Sequence, residues 1–169
     1  MNSKLPDVDT LLDEMTRQIK SMSSSQALMI GIHTGGVWLA QKLHHLVRLE
    51  TALGTLDITF YRDDFSTIGL HPQVNPSNLP EDIEGRDIIL VDDVLQTGRT
   101  IRAALNEVFS YGRPNSVVLA VLVDRGLREL PIQADVCGLK IDLDAQRQIK
   151  LSGPDTLKLT ITDKDASDT

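Results

Sequence analysis

The segment from Ile88 to Thr100, IILVDDVLQTGRT, has the residues with the clearest chemical purpose. Four apolar residues precede the carboxylates Asp92 and Asp93, and a short polar stretch with Gly98 follows. A helical pattern begins near Arg99, so the polar stretch should lie at a helix N-terminus. The unpaired N–H groups and the dipole of such a terminus favour a phosphate dianion. Gly98 allows close approach of the main chain or a positive φ.

The acidic pair must serve another part of the ligand, because carboxylates repel phosphate. Asp92 and Asp93 suit the vicinal hydroxyls of a ribose, or a Mg²⁺ ion held partly through water. The hydroxyls of Thr97 and Thr100 can bind the phosphate, and Arg99 adds positive charge. A sugar with both hydroxyls and a 5-phosphate therefore matches the segment from end to end. The alternative is an ordinary strand, turn and helix whose acidic pair caps the helix. The segment is not a Walker A loop, because the G-K-[ST] ending is missing.

The N-terminal half predicts helix, strand and helix in turn. A first helix should begin near Asp7 and end at the serines that start with Ser23, because apolar residues recur at spacings of three and four. The run 27–32 predicts a buried strand, 33–36 a turn, and the pattern from Val37 to Val47 a second helix. The apolar positions of the first helix are Val8, Leu11, Leu12, Met15, Ile19 and Met22.

Residues 55–61 alternate between apolar and polar types, which predicts a strand with one buried face. From Asp63 to about Arg86 the pattern lapses, and the stretch contains Pro72, Pro76 and Pro80. Loops of this length in compact domains are usually functional lids or disordered segments. We therefore expect a long, mobile loop over about 63–86.

The second half predicts an α/β fold with a central, mainly parallel sheet flanked by helices. The unbroken apolar runs 88–91 and 117–123 are typical of strands covered on both faces, and a helix from Arg99 to Tyr111 lies between them. Shorter strands are expected near 135–139, 148–151 and 156–161. Strands that alternate with helices favour a parallel sheet with its ligand at the carboxyl ends of the strands. We expect one domain over residues 1–162 and a polar tail over 163–169.

Composition narrows the classes of protein that fit. The 169 residues have a formal net charge of −7 and only 4% aromatic residues. That balance argues against nucleic acid as the main ligand, because such binders neutralise phosphates and often stack bases on aromatic rings. No apolar run approaches the roughly 20 residues that span a bilayer, and the N-terminus lacks a signal peptide's pattern. With Cys137 as the single cysteine, we expect a cytoplasmic protein without a disulfide or membrane contact.

The segment 88–100 closely resembles the phosphoribosyl pyrophosphate (PRPP) signature of type I phosphoribosyltransferases. Three further stretches resemble parts of that family: GIHTGGVWLAQKL its pyrophosphate loop, LDITFYRDDFS the strand before its flexible catalytic loop, and LAVLVDRGLRELPI its base-binding region. From about Leu5 to about Asp142 the chain is similar to one subfamily, the pyrimidine operon regulators that are also uracil phosphoribosyltransferases. This resemblance implies the type I phosphoribosyltransferase fold with a small hood and a flexible loop, and a homo-oligomer.

The resemblance also implies a reaction. Uracil would displace pyrophosphate from PRPP with the help of Mg²⁺, giving uridine monophosphate (UMP), and UMP or UTP would be sensed as regulatory nucleotides. The implied roles are ribose hydroxyl binding by Asp92 and Asp93; 5-phosphate binding by Gln96, Thr97, Gly98, Arg99 and Thr100; pyrophosphate binding by Thr34, Gly35 and Gly36; a lid that begins at Arg62, Asp63 and Asp64; and base binding by Val123, Asp124 and Arg125.

Two positions depart from the family pattern. Gly35 stands where the pyrophosphate loop usually has a basic residue, and Leu127 stands where the DRG-RELP segment usually has a histidine. A hydrogen bond to a charged group contributes about 1.5–3 kcal/mol. The loss at Gly35 could therefore weaken PRPP turnover roughly ten- to hundredfold.

Regulation could involve pyrimidine-operon messenger RNA, a protein partner, or the nucleotide alone. The best candidates for an RNA-binding basic patch are Arg17, Lys20, Arg125 and Arg128, accompanied by Thr16. The acidic composition argues against such a patch, as do Gln133, Asp142 and Asp144. A catalytically weak nucleotide sensor and a transferase for another base stay open as alternatives.

Overall fold

A five-stranded parallel sheet forms the centre of the molecule. The computed structural model describes residues 4–58 and 77–164. The strand order is β2-β1-β3-β4-β5, and every neighbouring pair runs parallel. The mainly parallel sheet predicted from the sequence is thus confirmed. The strands are β1 (Leu28–Ile32), β2 (Gly54–Leu56), β3 (Asp87–Leu95), β4 (Ser116–Asp124) and β5 (Val136–Lys140).

Helices cover both faces of the sheet, because side chains alternate along each buried strand. Ile89 and Val91 of β3 pack in a cluster with the apolar residues of α1 and α2. Ile88 and Leu90 pack in a second cluster with those of α3. The three predicted helices are confirmed, although α2 begins within the predicted turn. Their bounds are α1 (Val8–Met22), α2 (Gly35–Val47) and α3 (Arg99–Tyr111).

Strand β3 is longer than its apolar run predicts. It continues through Asp92 and Asp93 to Leu95 because β4 pairs with it along its whole length, with Asp92 opposite Val121 and Leu95 opposite Asp124. The apolar run 88–91 thus predicts only part of the strand, which continues past the acidic pair. Both carboxylates stand on a strand inside the sheet.

Strand β2 and the stretch that joins it to β3 differ from the predictions made for them. Strand β2 (Gly54–Leu56) includes only residues 55 and 56 of the predicted strand 55–61, and residues 59–61 lie outside the described residues. The C-terminal part of the expected loop is anchored. Asn78 forms a bridge with Thr55, and the Ile83 side chain is 2% exposed in the α3 cluster. Residues 63–76 of that predicted loop lie outside the described residues.

Two further strands, β6 (Arg147–Ser152) and β7 (Lys158–Asp163), form an antiparallel pair that we call the hood. Ile149, Leu157 and Leu159 bury their side chains in the α1 and α2 cluster. The hood therefore shares a core with the sheet. Within residues 4–58 and 77–164, the helices are too short or too polar to serve as a membrane span.

Candidate active site

The carboxyl ends of β1 and β3 meet where the strand order reverses. From β1 the chain enters α2 on one face of the sheet, and from β3 it enters α3 on the other. Such a switch point opens a crevice in which α/β proteins bind ligands. A cavity of about 460 Å³ lies against the end of β3. Its lining includes Asp92, Asp93, Gln96, Thr97, Gly98, Thr100, Ile101, Arg125, Gln148, Lys150 and Lys164.

Asp92 and Asp93 line the cavity in different surroundings. Asp92 is 3% exposed, and its Oδ1 accepts the main-chain N–H of Asp93 at 2.9 Å. Asp93 is half-buried, and its Oδ1 accepts the N–H of Val94 at 2.8 Å. The structure brings the two predicted carboxylates together in the cavity.

The glycines at the start of α2 lie directly against the end of β3. A Cβ added to Gly36 would stand 2.5 Å from the Val91 carbonyl oxygen, and one added to Gly35 would collide with the Asp93 carboxylate. This contact gives a physical reason for Gly35, where the family usually has a basic residue. A side chain at position 35 could be accommodated only if Asp93 moved. Thr34 immediately precedes this contact as the N-cap of α2.

Residues 96–98, which we call the phosphate loop, join β3 to α3. Gly98 has a φ of 93°, a conformation that favours glycine. The Thr97 hydroxyl accepts the N–H of Arg99 at 3.1 Å. The first hydrogen bond of α3 runs from the N–H of Arg102 to the Gly98 carbonyl. The N–H groups of residues 99–101 therefore precede the helical ladder, as an anion site requires.

The Arg99 side chain lies outside the cavity, although its main-chain N–H belongs to the start of α3. Thr100 lines the cavity, but Arg99 is not among the lining residues. The Arg99 Nε donates to Glu129 Oε2 at 2.7 Å, and both side chains are exposed. The structure does not bring this guanidinium into the cavity.

The three predicted base-binding residues do not lie in one place: one is buried in the core and the other two line cavities. Val123 is buried in the α1 and α2 cluster. Asp124 lines a second cavity of about 320 Å³, while Arg125 lines both cavities. Arg125 is 3% exposed, and its Nη2 donates to the carbonyls of Asp144 and Arg147 at 3.2 and 2.9 Å. Only Arg125 of the three thus reaches the main cavity.

Asp124 stays in ion-pair contact with Arg128. Burial raises the pKa of Asp124, but the Arg128 hydrogen bond, the Gly126 N–H and the charges of Arg128 and Lys140 together lower it below its ordinary value. The carboxylate is therefore ionised at neutral pH.

The hood supplies functional candidates that the sequence reasoning missed. Gln148 and Lys150 of β6, and Lys164 directly after β7, line the same cavity as the acidic pair. The alternation of polar and apolar residues over 148–151 could have indicated Gln148 and Lys150, because Ile149 is buried while Lys150 is exposed. Which surface the polar residues would face depends on how the hood docks, and no local pattern predicts that.

The residues predicted as an RNA-binding patch do not form a set of free cations. On α1, the Thr16 hydroxyl donates to the Leu12 carbonyl, and Arg17 pairs with Glu14. Lys20 is exposed in the last turn. Arg128 donates to four acceptors inside the chain, so its guanidinium is held within the fold. Arg62, Asp63 and Asp64, predicted to begin a lid, lie outside the described residues.

A model of the phosphoribosyl transferase domain matches residues 5–155. The chain belongs to the phosphoribosyltransferase family. A curated relative from Nitrosococcus oceani, named Bifunctional protein PyrR, is 55% identical over 149 residues, which cover 87% of this chain and 84% of the relative. A protein of the same name from Pseudomonas fluorescens is 50% identical over 163 residues, 94% of this chain and 97% of the relative. The family resemblance inferred from the motifs is confirmed.

Solved phosphoribosyltransferase structures have the same fold. A hypoxanthine phosphoribosyltransferase from Staphylococcus aureus aligns with a TM-score of 0.63 at 23% identity, over 82% of this chain and 75% of that one. A purine phosphoribosyltransferase from Pyrococcus horikoshii aligns with a TM-score of 0.61 at 22% identity, over 79% and 81%. These matches confirm the predicted type I phosphoribosyltransferase fold.

Proposed function

We propose that this chain regulates pyrimidine nucleotide synthesis and catalyses the transfer of a phosphoribosyl group from PRPP to uracil. The products are UMP and pyrophosphate. The observation that supports the chemistry is one cavity lined by both the acidic pair and the phosphate loop. Near full-length similarity to proteins named Bifunctional protein PyrR supports the combination of two functions.

In the proposed complex the substrate extends from the phosphate loop, past the acidic pair, to the turn before α2. The 5-phosphate lies on the phosphate loop and the N-terminus of α3, where main-chain N–H groups and Thr100 can donate to it. The ribose hydroxyls then lie toward Asp92 and Asp93, whose carboxylate oxygens can accept hydrogen bonds. The pyrophosphate group extends toward Thr34, Gly35 and Gly36, since Gly35 lies against Asp93.

Magnesium is the proposed cofactor. Carboxylate oxygens are its preferred protein ligands, and it usually retains several waters and substrate oxygens. Among residues 4–58 and 77–164 there is no group of three or more side chains that could hold a metal. As an adjacent pair of carboxylates that lines the cavity, Asp92 and Asp93 would hold such an ion together with oxygens of the substrate and water. When bound, Mg²⁺ neutralises charge on the pyrophosphate that departs.

The reaction forms a bond between N1 of uracil and C1 of the ribose, breaks the bond from C1 to the pyrophosphate oxygen, and releases the N1 proton. Positive charge develops on the ribose ring before the new bond is complete. The carboxylates of Asp92 and Asp93 stabilise that charge, and the phosphate loop holds the sugar in position.

Arg125 is the proposed base-side donor. Its Nε is the buried side-chain polar atom without a hydrogen-bond partner among the described residues. Such an orphaned donor is costly unless a ligand or water satisfies it. A uracil carbonyl oxygen is an acceptor of the right kind, and the hood residues Gln148 and Lys150 offer further donors.

A pyrophosphate-release assay with PRPP and Mg²⁺ tests the activity. We expect release with uracil and much slower release with hypoxanthine or orotate. Arg125→Lys should lower the rate with uracil while Mg²⁺-dependent UMP binding persists. Release with hypoxanthine but not uracil would assign another base, and no release with any base would remove the transferase proposal.

The proposed regulatory partner is pyrimidine-operon messenger RNA, with UMP, UTP or PRPP sensed in the cavity. Arg17 and Lys20 on α1 are the remaining surface cations of the predicted patch. A gel shift with the leader RNA should weaken with rising salt, because phosphate contacts release counterions. The variant Arg17→Glu/Lys20→Glu should weaken it further. An RNA affinity that changes neither with salt nor with the two substitutions would contradict binding at this surface.

A further inference from the structure

Arg128 lies behind the phosphate loop, on the side away from the ligand cavity. Its Nη1 donates to the Gln96 carbonyl at 2.8 Å, and its Nε donates to the Ile132 carbonyl at 2.7 Å. Its Nη2 donates to Asp124 Oδ2 at 2.6 Å. The Arg128 side chain is 24% exposed and that of Asp124 is 11% exposed. One guanidinium thus joins the phosphate loop, the end of β4 and the segment after it.

The neighbouring main chain holds the same loop. We call residues 126–132 the supporting segment. The N–H groups of Glu129 and Leu130 both donate to the Thr97 carbonyl, at 2.9 and 3.1 Å. An added Cβ on Gly98 would stand 3.3 Å from the Cβ of Ile132. The carbonyls of Gln96 and Thr97 are therefore both bonded from the side of the supporting segment.

These hydrogen bonds to the carbonyl groups also fix the direction of the N–H group in the same peptide unit. In a trans peptide the C=O and N–H bonds of one unit point in opposite directions. Because the carbonyls of Gln96 and Thr97 are held by the supporting segment, the N–H groups of Thr97 and Gly98 point away from it. Residues 96–98 also line the cavity. Two main-chain donors are thereby presented to an anion there.

We propose that Arg128 is a positioning residue for the 5-phosphate, which it affects through the Gln96 carbonyl without touching the ligand. In a variant with Arg128→Gln, the new side chain would lack the positive charge and the number of N–H donors that Arg128 uses. A loop released at Gln96 can rotate its peptide groups, and the N–H donors then lose their preset direction. The inference rests on the proposed placement of the ribose 5-phosphate.

Calorimetry with UMP and uridine isolates the phosphate contribution. We expect Arg128→Gln to lower UMP affinity about tenfold while uridine affinity stays unchanged. Arg128→Lys should fall between Arg128→Gln and the unmodified protein, because an ammonium cannot span the same acceptors. The KM for PRPP should rise in Arg128→Gln, with the KM for uracil unchanged.

Two controls separate this effect from general damage. Arg86→Gln removes a guanidinium that also donates to a main-chain carbonyl, that of Gln26, but precedes the opposite end of β3. Leu127→Asn alters the supporting segment at an exposed residue with a φ of 58°, and asparagine tolerates that conformation. Both variants should retain the preference for UMP.

An unchanged ratio of UMP to uridine affinity in Arg128→Gln would overturn the inference. So would equal losses for the two ligands. If the unmodified protein itself bound UMP no better than uridine, the proposed function would fail instead. Should Arg128→Gln not fold, Asp124→Asn supports the same test, because it removes the charge that orients Arg128. A ratio unaltered in a folded Asp124→Asn protein would then count against the proposal.

Discussion

Asp92 and Asp93 are adjacent in the chain, but their side chains differ in burial. Asp92 is nearly fully buried and accepts the N–H of its neighbour. Asp93 is half-buried, uses one oxygen for the N–H of Val94 and lies with its carboxylate against Gly35. In the proposed reaction the position of Asp93 therefore links the ribose to the turn proposed for pyrophosphate.

Asp93→Asn should lower kcat/KM for PRPP by about 10- to 100-fold, because it removes a negative charge beside the ribose while the carboxamide oxygen can still accept from Val94. Initial rates of pyrophosphate release at saturating uracil measure this. Asp87→Asn, at the exposed start of β3, should leave the rate unchanged. Equal rates in Asp93→Asn and the unmodified protein would contradict a role in catalysis.

The sequence predicted the position of a site residue only where that residue belongs to a short continuous motif. The acidic pair, Thr97, Gly98 and Thr100 share one short segment, and the structure places them together. The directions of Arg99 and Arg128 were not predictable, because each pairs with a residue chosen by tertiary contacts. Leu127, which departs from the family pattern, has a side chain that is 47% exposed and is not among the residues that line the cavity.

At the scale of elements, helix α2 packs closely on the sheet through glycines. A Cβ on Gly31 of β1 would stand 2.8 Å from the Val37 Cα, and one on Gly36 would stand 2.5 Å from the Val91 carbonyl oxygen. The helix N-terminus can thereby lie beside the acidic pair. The sequence predicted the helix, but nothing in its periodicity indicated how closely it approaches β3.

Gly36→Ala should destabilise the protein by about 1–3 kcal/mol, the usual cost of forcing extra atoms into a packed contact. Urea unfolding measured by circular dichroism checks it. Gln41→Ala, on an exposed position of α2, should change the free energy of unfolding by less than about 0.5 kcal/mol. A Gly36→Ala protein as stable as the Gln41→Ala protein would show that the contact is looser than the structure indicates.

The contribution of Asp124, the ion-pair partner of Arg128 in the supporting segment, to the stability of the fold should depend on pH. The pKa of Asp124 is lowered in the folded protein, so its ionised form stabilises the fold above its unfolded pKa of about 4. That stabilisation is lost as the pH falls through the folded pKa. The stability difference between the unmodified protein and Asp124→Asn should be constant above about pH 6 and shrink below about pH 4.

Urea titrations at several pH values measure this difference, with the exposed Asp155→Asn as a control that should show a smaller dependence. A difference that grew on acidification would have the wrong sign for a depressed pKa.

At the scale of the whole molecule, residues of the sheet and of the hood together line the main cavity. The parallel sheet, its two helical layers and the three short C-terminal strands could be predicted because period and apolar runs are local signals. The pairing of β6 with β7 and their docking on α1 and α2 could not, since they depend on contacts distant along the chain. The hood residues of the cavity were missed for that reason.

A crystal structure with UMP and Mg²⁺ tests the central claim most directly. We predict the phosphate within hydrogen-bond distance of main-chain N–H groups in residues 97–101, the ribose hydroxyls on Asp92 and Asp93, and the uracil beside Arg125. UMP bound elsewhere, or bound here with its phosphate away from that loop, would contradict the account.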